Sequence, residues 1–346
     1  MFEIVSPIIG IHLNPLVMLV IGVIGGLISG FLSTGCGLII TPLLIDLGLP
    51  PCVAIPTQLC HAVGTNFTNF LVYKRKSDVD FILVMYILLG GCIGTFCEWL
   101  FLKNATNPQT ILNKFLYIYV AILGIFGLIT LYQSFYTLNR SKNTIKKYSI
   151  MMRKWMKYLP CHKVFGRSRT EMSVLVPIGL GIITGMLVAS LGGGSNLFMA
   201  PILTYLIGRI SPVVYGTVSM ASFVITVLIT FVYASQNYCC DMIVVMILFA
   251  GASFGSWCGV TLSYKVPRYR ISIISGVVML CMAGKQVYKI FNCQQGSSSL
   301  KVLMPDIIVS NPNKYTLFCV SLIIMVAYFY EKILENFSKT RWFRKQ

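Results

Sequence analysis

Along this chain, long apolar runs alternate with short polar or basic connections. Residues 17–33, 81–102, 115–135, 242–264 and 315–330 are almost free of charge. A helix crossing a hydrocarbon core of about 30 Å needs about 20 such residues. The pattern therefore predicts an all-α polytopic membrane protein. Two of the runs are interrupted by clusters of glycine and small polar residues, at Ser33, Thr34, Gly35, Cys36 and Gly37 and at Gly192, Gly193, Gly194, Ser195 and Asn196.

These interruptions belong to an internal repeat. The order Gly26-Leu-Ile-Ser-Gly30, Gly35-Cys-Gly37, Pro42-Leu-Leu recurs as Gly181-Ile-Ile-Thr-Gly185, Gly192-Gly-Gly194, Pro201-Ile-Leu. Thr57, Tyr73, Asp80, Gly90, Gly94 and Cys97 then match Thr217, Tyr233, Asp241, Gly251, Gly255 and Cys258. The organisation that follows is a membrane repeat at 17–135, a basic linker at 136–173, a second membrane repeat at 174–291 and an extra C-terminal span at 315–331.

Composition agrees with burial in lipid. Hydrophobic residues make up 56% of the 346 positions and charged residues 11%, against about 25% charged in soluble domains. The net charge of +18 would raise the question of nucleic acid in a soluble protein. Here the basic residues sit between apolar spans, where they set orientation, and no nucleic-acid partner is expected. The first ten residues lack a basic segment and a small-residue cleavage site, so a removable signal peptide is not expected. The 12 cysteines are scattered, mostly within apolar runs, and none forms a CxxC pair. They read as small hydrophobes; no metal and no cofactor is expected.

Charge also bears on how the two repeats are related. Four crossings per repeat would make them parallel. Five segments, with the Gly-rich element re-entrant or broken, would make them inverted. The inverted arrangement gathers residues 74–76, the linker, Arg209, residues 265–270 and the basic tail on the cytoplasmic side, which holds most of the 28 basic residues. The parallel arrangement gathers fewer and strands the tail outside. The positive-inside bias favours inversion, with residue 1 outside, residue 346 inside, and Lys285 and Lys289 left on the outer side.

The Gly-rich breaks are the first candidate site. Irregular backbone at membrane depth is tolerated only where it is buried in protein or lines a wet cavity, and matching breaks in two repeats point to a transporter's binding site. A short helix starting after such glycines presents unpaired N–H groups, which attract anions. Ser33, Thr34, Ser195 and Asn196 add donors, and the glycines admit a ligand to the backbone. Ser29-Gly30 and Thr184-Gly185 read instead as close-packing steps with Gly26 and Gly181, and Pro42 and Pro201 as residues shaping the short helices.

The helix after the first break supplies the second candidate. Thr57 opens it, and Gln58, His61, Thr65 and Asn69 follow at helical spacing with Asn66 beside them, so they share one face. An ionisable residue within a span is a functional hypothesis by default. His61 either binds an anion or carries a coupled proton, or else it is a neutral residue bonded between helices. The matching helix of the second repeat has Thr217, Ser219, Ser222, Thr226 and Thr230 but no comparable group. Asp80 and Asp241 read as helix caps or interface residues.

The ordered motif of small-residue helix, Gly-rich break, proline and Ala54-Ile-Pro-Thr57, present twice in outline over residues 17–291, resembles the TauE/SafE family. The resemblance implies a secondary transporter of small sulfur-containing anions, of the sulfite or organosulfonate class. The two breaks and the polar face together give the candidate substrate-binding residues Ser33, Thr34, Gly35, Cys36, Gly37, Thr57, Gln58, His61, Asn66, Gly192, Gly193, Gly194, Ser195, Asn196 and Thr217. Two departures fall at that site: the first break carries fewer glycines than is usual, and Gln58 replaces a common serine. The implied partners are a small anionic substrate, the lipid bilayer and a coupled proton or ion, and the implied location is a multi-pass protein of the cell (inner) membrane. The alternatives are an intramembrane enzyme, with His61 as base and Ser33 or Cys36 as nucleophile, and a structural membrane protein. No catalytic motif supports the enzyme, and none is expected. The linker reads as an interfacial helix on the anionic inner leaflet or as a solvated loop.

Overall fold

The computed structural model describes residues 4–5, 12–32, 37–75, 79–103, 162–165, 170–191, 212–235 and 240–265, with scattered helical positions at 120–132, 199–203 and 273–288. Seven long helices carry these residues: α1 (Pro15–Leu32), α2 (Gly37–Asp46), α3 (Pro51–Arg75), α4 (Phe81–Lys103), α5 (Leu175–Leu191), α6 (Pro212–Ser235) and α7 (Met242–Ser263). Two small hairpins accompany them: β1 (Ile4–Val5) with β2 (His12–Leu13), and β3 (His162–Phe165) with β4 (Thr170–Ser173), both antiparallel. The second hairpin lies in the stretch read as a basic linker, so this part of it is β-structure, not an interfacial helix. The segments 33–36 and 192–198, Glu98's side chain and the expected span at 315–331 lie outside the described residues.

Helix starts follow ordinary capping chemistry. The Asn14 side chain accepts from the N–H of Leu16 at 3.0 Å. Asp80 accepts from Leu83 N–H at 3.3 Å, and Asp241 from Ile243 and Val244 N–H at 3.2 and 3.4 Å. Both aspartates are therefore caps, as their positions suggested. The two arms of the first Gly-rich hairpin are unequal: α1 has 18 residues and α2 has 10. Ile39 packs with Ile28 and Phe31 near the end of α1, whereas Ile40 and Leu44 pack with Met18 and Leu13 near its start. Thus α2 runs back along α1.

Glycine ridges fix the closest packing. Gly22, Gly26 and Gly30 of α1 lie against the backbone of Leu248, Ala252 and Ser256 of α7, and Gly251, Gly255 and Gly259 of α7 lie reciprocally against α1. Positions rise together, so α1 and α7 are parallel. In the same way Gly90 and Gly94 of α4 meet Ile178 to Gly185 of α5, also in parallel. A side chain at these glycines would enter the facing backbone, so their absence is what lets the helices touch. Phe67 of α3 stacks on Phe223 of α6 at 4.9 Å, while Asp80 after α3 meets Thr217 and Asp241 after α6 meets Thr57. α3 and α6 therefore cross antiparallel. Asn69 of α3 reaches Ser29 and Tyr73 reaches Gly30, so α3 runs with α1. One set of helices, α1, α3 and α7, points one way; α4, α5 and α6 point the other.

The distribution of polarity is inverted relative to a soluble protein. Leu16, Val20 and Ile24 of α1, and Ile82, Met85, Leu89, Ile93, Phe96 and Leu100 of α4, are exposed at helical spacing, while His61, Asn66, Asn69, Thr57, Thr217 and Ser222 are buried. Such continuous apolar stripes suit lipid. Buried hydroxyls satisfy themselves on their own helix, as Thr68 does on Gly64 C=O at 2.9 Å and Thr226 on Ser222 C=O at 2.7 Å. Among the described helices, α6 and α7 are long and apolar enough throughout to cross a membrane; α1, α4 and α5 hold shorter apolar segments. α3 has 25 residues, and its polar face together with Lys74 and Arg75 in its last turn lowers its hydropathy.

Charged residues collect at one end. Exposed Lys74 and Arg75 close α3 and exposed Lys265 follows α7. Lys163 of β3 lies at that same end, donating to the Tyr86 hydroxyl of α4 at 3.2 Å. Met172 of β4 is buried in the main core beside the start of α5. At the opposite end Lys285 pairs with Asp46 of α2 at 2.8 Å, so the lysine that the orientation left on the outer side has a counter-charge.

Candidate functional site

The polar face of α3 is assembled as its spacing predicts, and the fold buries it at the meeting of α1, α3 and α7. Gln58, His61, Thr65 and Asn69 are 0% exposed and Asn66 is 2% exposed. Groups of this kind are rarely placed in a membrane interior without partners or a function. The His61 ring bonds to the backbone carbonyl of Leu248 on α7. That carbonyl is also the one Gly22 lies against, so the glycine leaves α1 close enough to shield the bond. Thr65 turns back onto the carbonyl of Ala62 at 3.2 Å.

One turn deeper, Asn69 Nδ2 donates to Ser29 Oγ at 3.1 Å. Its Oδ1 is buried and has no hydrogen-bond partner among the described residues. Ser29 stands four residues before Ser33, where the first break begins. Tyr73 adds its hydroxyl to the Gly30 carbonyl at 3.4 Å. The polar face thus leads directly to the end of α1, where the last carbonyls of a helix lack intrahelical partners. Gly37, buried, starts α2 on the far side of the break.

Thr57 and Thr217, both expected at the binding site, each hold a distant backbone group. Thr57 Oγ1 accepts from the backbone N–H of Asp241, and Thr217 Oγ1 from that of Asp80, each at 3.0 Å. Thr217 also donates to Val213 C=O at 2.6 Å. Both hydroxyls hold helix starts in place. Gln58, His61 and Asn66 are buried along α3 after Thr57, and Gly37 is buried at the start of α2. Ser33, Thr34, Gly35, Cys36, Gly192, Gly193, Gly194, Ser195 and Asn196 lie outside the described residues.

The Ser29–Asn69 pair is the feature that sequence reading left unconnected. Asn69 was visible on the polar face, but Ser29 looked like a packing step. Their partnership joins residues 40 apart, and no local pattern signals it. The positions that align with this pair in the sequence are Thr184 and Ile229, both fully buried, so the amide has no match there. The asymmetry between the two polar faces is therefore present in the packed core as well as in the sequence.

The sequence model of the family described as Sulfite exporter TauE/SafE matches residues 18–285. The chain belongs to this family. It is an integral membrane protein of a family described as sulfite exporters, and its named relatives are described as probable membrane transporter proteins. It is 27% identical over 207 residues to the "Probable membrane transporter protein YtnM" of Bacillus subtilis (strain 168), covering 60% of each chain. It is 30% identical over 74 residues to the "Probable membrane transporter protein YjnA" of the same organism, covering 21% of this chain and 29% of that one. The chain thus matches less than two thirds of either relative's length. No solved structure matches it. The TauE/SafE match spans the Gly-rich breaks, the polar face of α3 and every long helix from α1 to α7.

Proposed function

We propose that this TauE/SafE protein is a multi-pass secondary transporter of small anions of the sulfite or organosulfonate class, in the cell (inner) membrane. The observation carrying this reading is the buried polar face of α3, which runs from His61 to the Asn69–Ser29 pair beside the first Gly-rich break. The proposed site comprises Ser33, Thr34, Gly35, Cys36 and Gly37 with Gln58, His61 and Asn66, and Gly192, Gly193, Gly194, Ser195 and Asn196 from the matching break. Thr57 and Thr217 position the helices around it. Amide, hydroxyl and backbone N–H donors suit an oxyanion, and a glycine break lets the anion reach the backbone. His61 is the proposed carrier of a coupled proton.

The two repeats, 17–135 and 174–291, form inverted halves in this reading. Its support is directional: α3 and α6, which align in sequence, cross antiparallel, and α1 and α5 belong to the two opposed helix sets. The end carrying Lys74, Arg75, Lys163 and Lys265 is the cytoplasmic one by the positive-inside bias. Residue 1 is then outside, and the extra C-terminal span returns residue 346 to the inside. Reporters fused to the two termini test this orientation; both termini on one side would overturn it.

The decisive experiment is flux of radiolabelled sulfite, sulfate and a sulfonate in proteoliposomes, with and without a proton gradient. Saturable uptake of sulfite or the sulfonate in preference to sulfate is expected. Absence of uptake for all three in folded, reconstituted protein would remove the substrate class.

A further inference from the structure

Two of the described cysteines are neither scattered nor isolated. Cys60 lies on α3 one turn after Thr57, and Cys240 immediately precedes Asp241, whose N–H donates to Thr57 Oγ1 at 3.0 Å. Residues three apart on a helix share a face. The hydrogen bond therefore pins the chain at Cys240 beside the turn of α3 that carries Cys60. The two side chains sit in one buried cluster with Val245 and Phe249, and their sulfurs are in hydrogen-bond contact.

Packing alone does not call for this pair. At the matching junction, where Asp80 N–H meets Thr217, the positions aligned with Cys60 and Cys240 are Met220 and Val79. Both belong to or pack on the main core. The same hydrogen bond and crossing are thus built there with two ordinary apolar side chains. The thiols are the addition at one junction only.

We propose that Cys60 and Cys240 are a redox-active dithiol that closes to a disulfide joining α3 to the start of α7. The bond fastens the first repeat to the second, since the partners are 180 residues apart. The pair lies at the end opposite Lys74 and Lys265. This is the outer end in the topology proposed above, and only that sidedness rests on the transporter reading. Disulfides form and persist on that side of a cell membrane. The oxidant is a disulfide of a small thiol or of a folding oxidase. One cysteine thiolate attacks it, releasing the first thiol and leaving a mixed disulfide. The second thiolate then displaces the other thiol and completes the Cys60–Cys240 bond. Two electrons and both protons leave with the released thiols. The two side chains already share one buried cluster, and the bond brings their sulfurs to about 2.05 Å.

The test uses the full chain in native membranes treated with diamide, a small azo oxidant that takes up the two protons and electrons. Free thiols are then alkylated and the digest is read by mass spectrometry. The expected result is a linked Cys60–Cys240 peptide, loss of alkylation at both residues, and recovery of both after phosphine reduction. The double variant Cys60→Met/Cys240→Val copies the other junction and keeps the fold. It should lose the linked peptide and any thermal stabilisation by diamide. Exposed Cys92, Cys97 and Cys281 report that the oxidant acted. If these oxidise while Cys60 and Cys240 stay alkylatable, or if either pairs with another cysteine, the proposal is overturned. The peptide readout does not need transport, so failed anion flux in the same membranes would count against the transporter and leave the dithiol decided.

Discussion

The hydroxyl of Thr57 accepts a hydrogen bond from the backbone N–H of Asp241, 184 residues away, at 3.0 Å. Thr217 does the same for Asp80, at the same distance. Each threonine opens the polar stretch of one central helix, and each aspartate caps the next helix of the opposite repeat. These two bonds hold the crossing of α3 and α6 at both ends. In a protein interior, a backbone donor left without such a partner costs about 1–3 kcal/mol.

Thr57→Val and Thr217→Val should each lower stability by about 1–3 kcal/mol, because the Asp241 or Asp80 N–H is left buried and unpaired. Thr→Ser at either position should recover most of the loss. Thermal unfolding of the purified protein in detergent measures both. A drop at one threonine with none at the other would show that the two junctions are not equivalent.

Substitution of the ridge glycines should be far more damaging than substitution of an open one. A Cβ at Gly26 collides with the Ala252 carbonyl, and one at Gly181 with the Ile87 carbonyl, whereas nothing lies within 4 Å of a Cβ at Gly179. Overpacking costs about 1–3 kcal/mol even where neighbours can shift, and these neighbours are backbone. Gly26→Val and Gly181→Val should cut the abundance of folded protein in the membrane, while Gly179→Ala leaves it unchanged. Equal abundance of all three would refute the packing.

His61 separates coupling from structure. An imidazole that gains and loses a proton can change its charge during a transport cycle. His61→Gln keeps a side-chain donor for the Leu248 carbonyl but cannot titrate. If His61 couples transport to protons, substrate exchange survives and gradient-driven accumulation is lost. Unchanged accumulation in the variant would remove His61 from the mechanism, and parallel loss of both activities would assign it to holding α3 on α7.

The Gly-rich breaks can be blocked directly. Gly37→Leu at the start of α2, or Gly193→Leu in the matching break, should abolish anion transport at normal membrane abundance, because the side chain fills the approach to the backbone N–H groups. Flux by either variant at the unsubstituted rate would count against an anion site at that break.

The sequence by itself determined the helical membrane class, the capping aspartates and the polar face of α3. Each of these is written in local spacing: apolar runs, a carboxylate before a helix, polar groups three and four residues apart. The β3–β4 hairpin is not legible in the sequence because it has no periodicity of its own, and its buried Met172 is held by contact with the core. Which helix pairs with which was also beyond local pattern. Both α4 and α7 carry glycine ridges, Gly90 and Gly94 in one and Gly251, Gly255 and Gly259 in the other, and local sequence does not say which ridge α1 meets. Only the tertiary structure decided that α1 packs on α7 and α5 on α4. The same holds for the hydroxyls and thiols. A threonine can bond its own helix or a distant N–H, and a cysteine can pack as a hydrophobe or meet a second sulfur. That choice rests on which backbone the fold brings within about 3 Å.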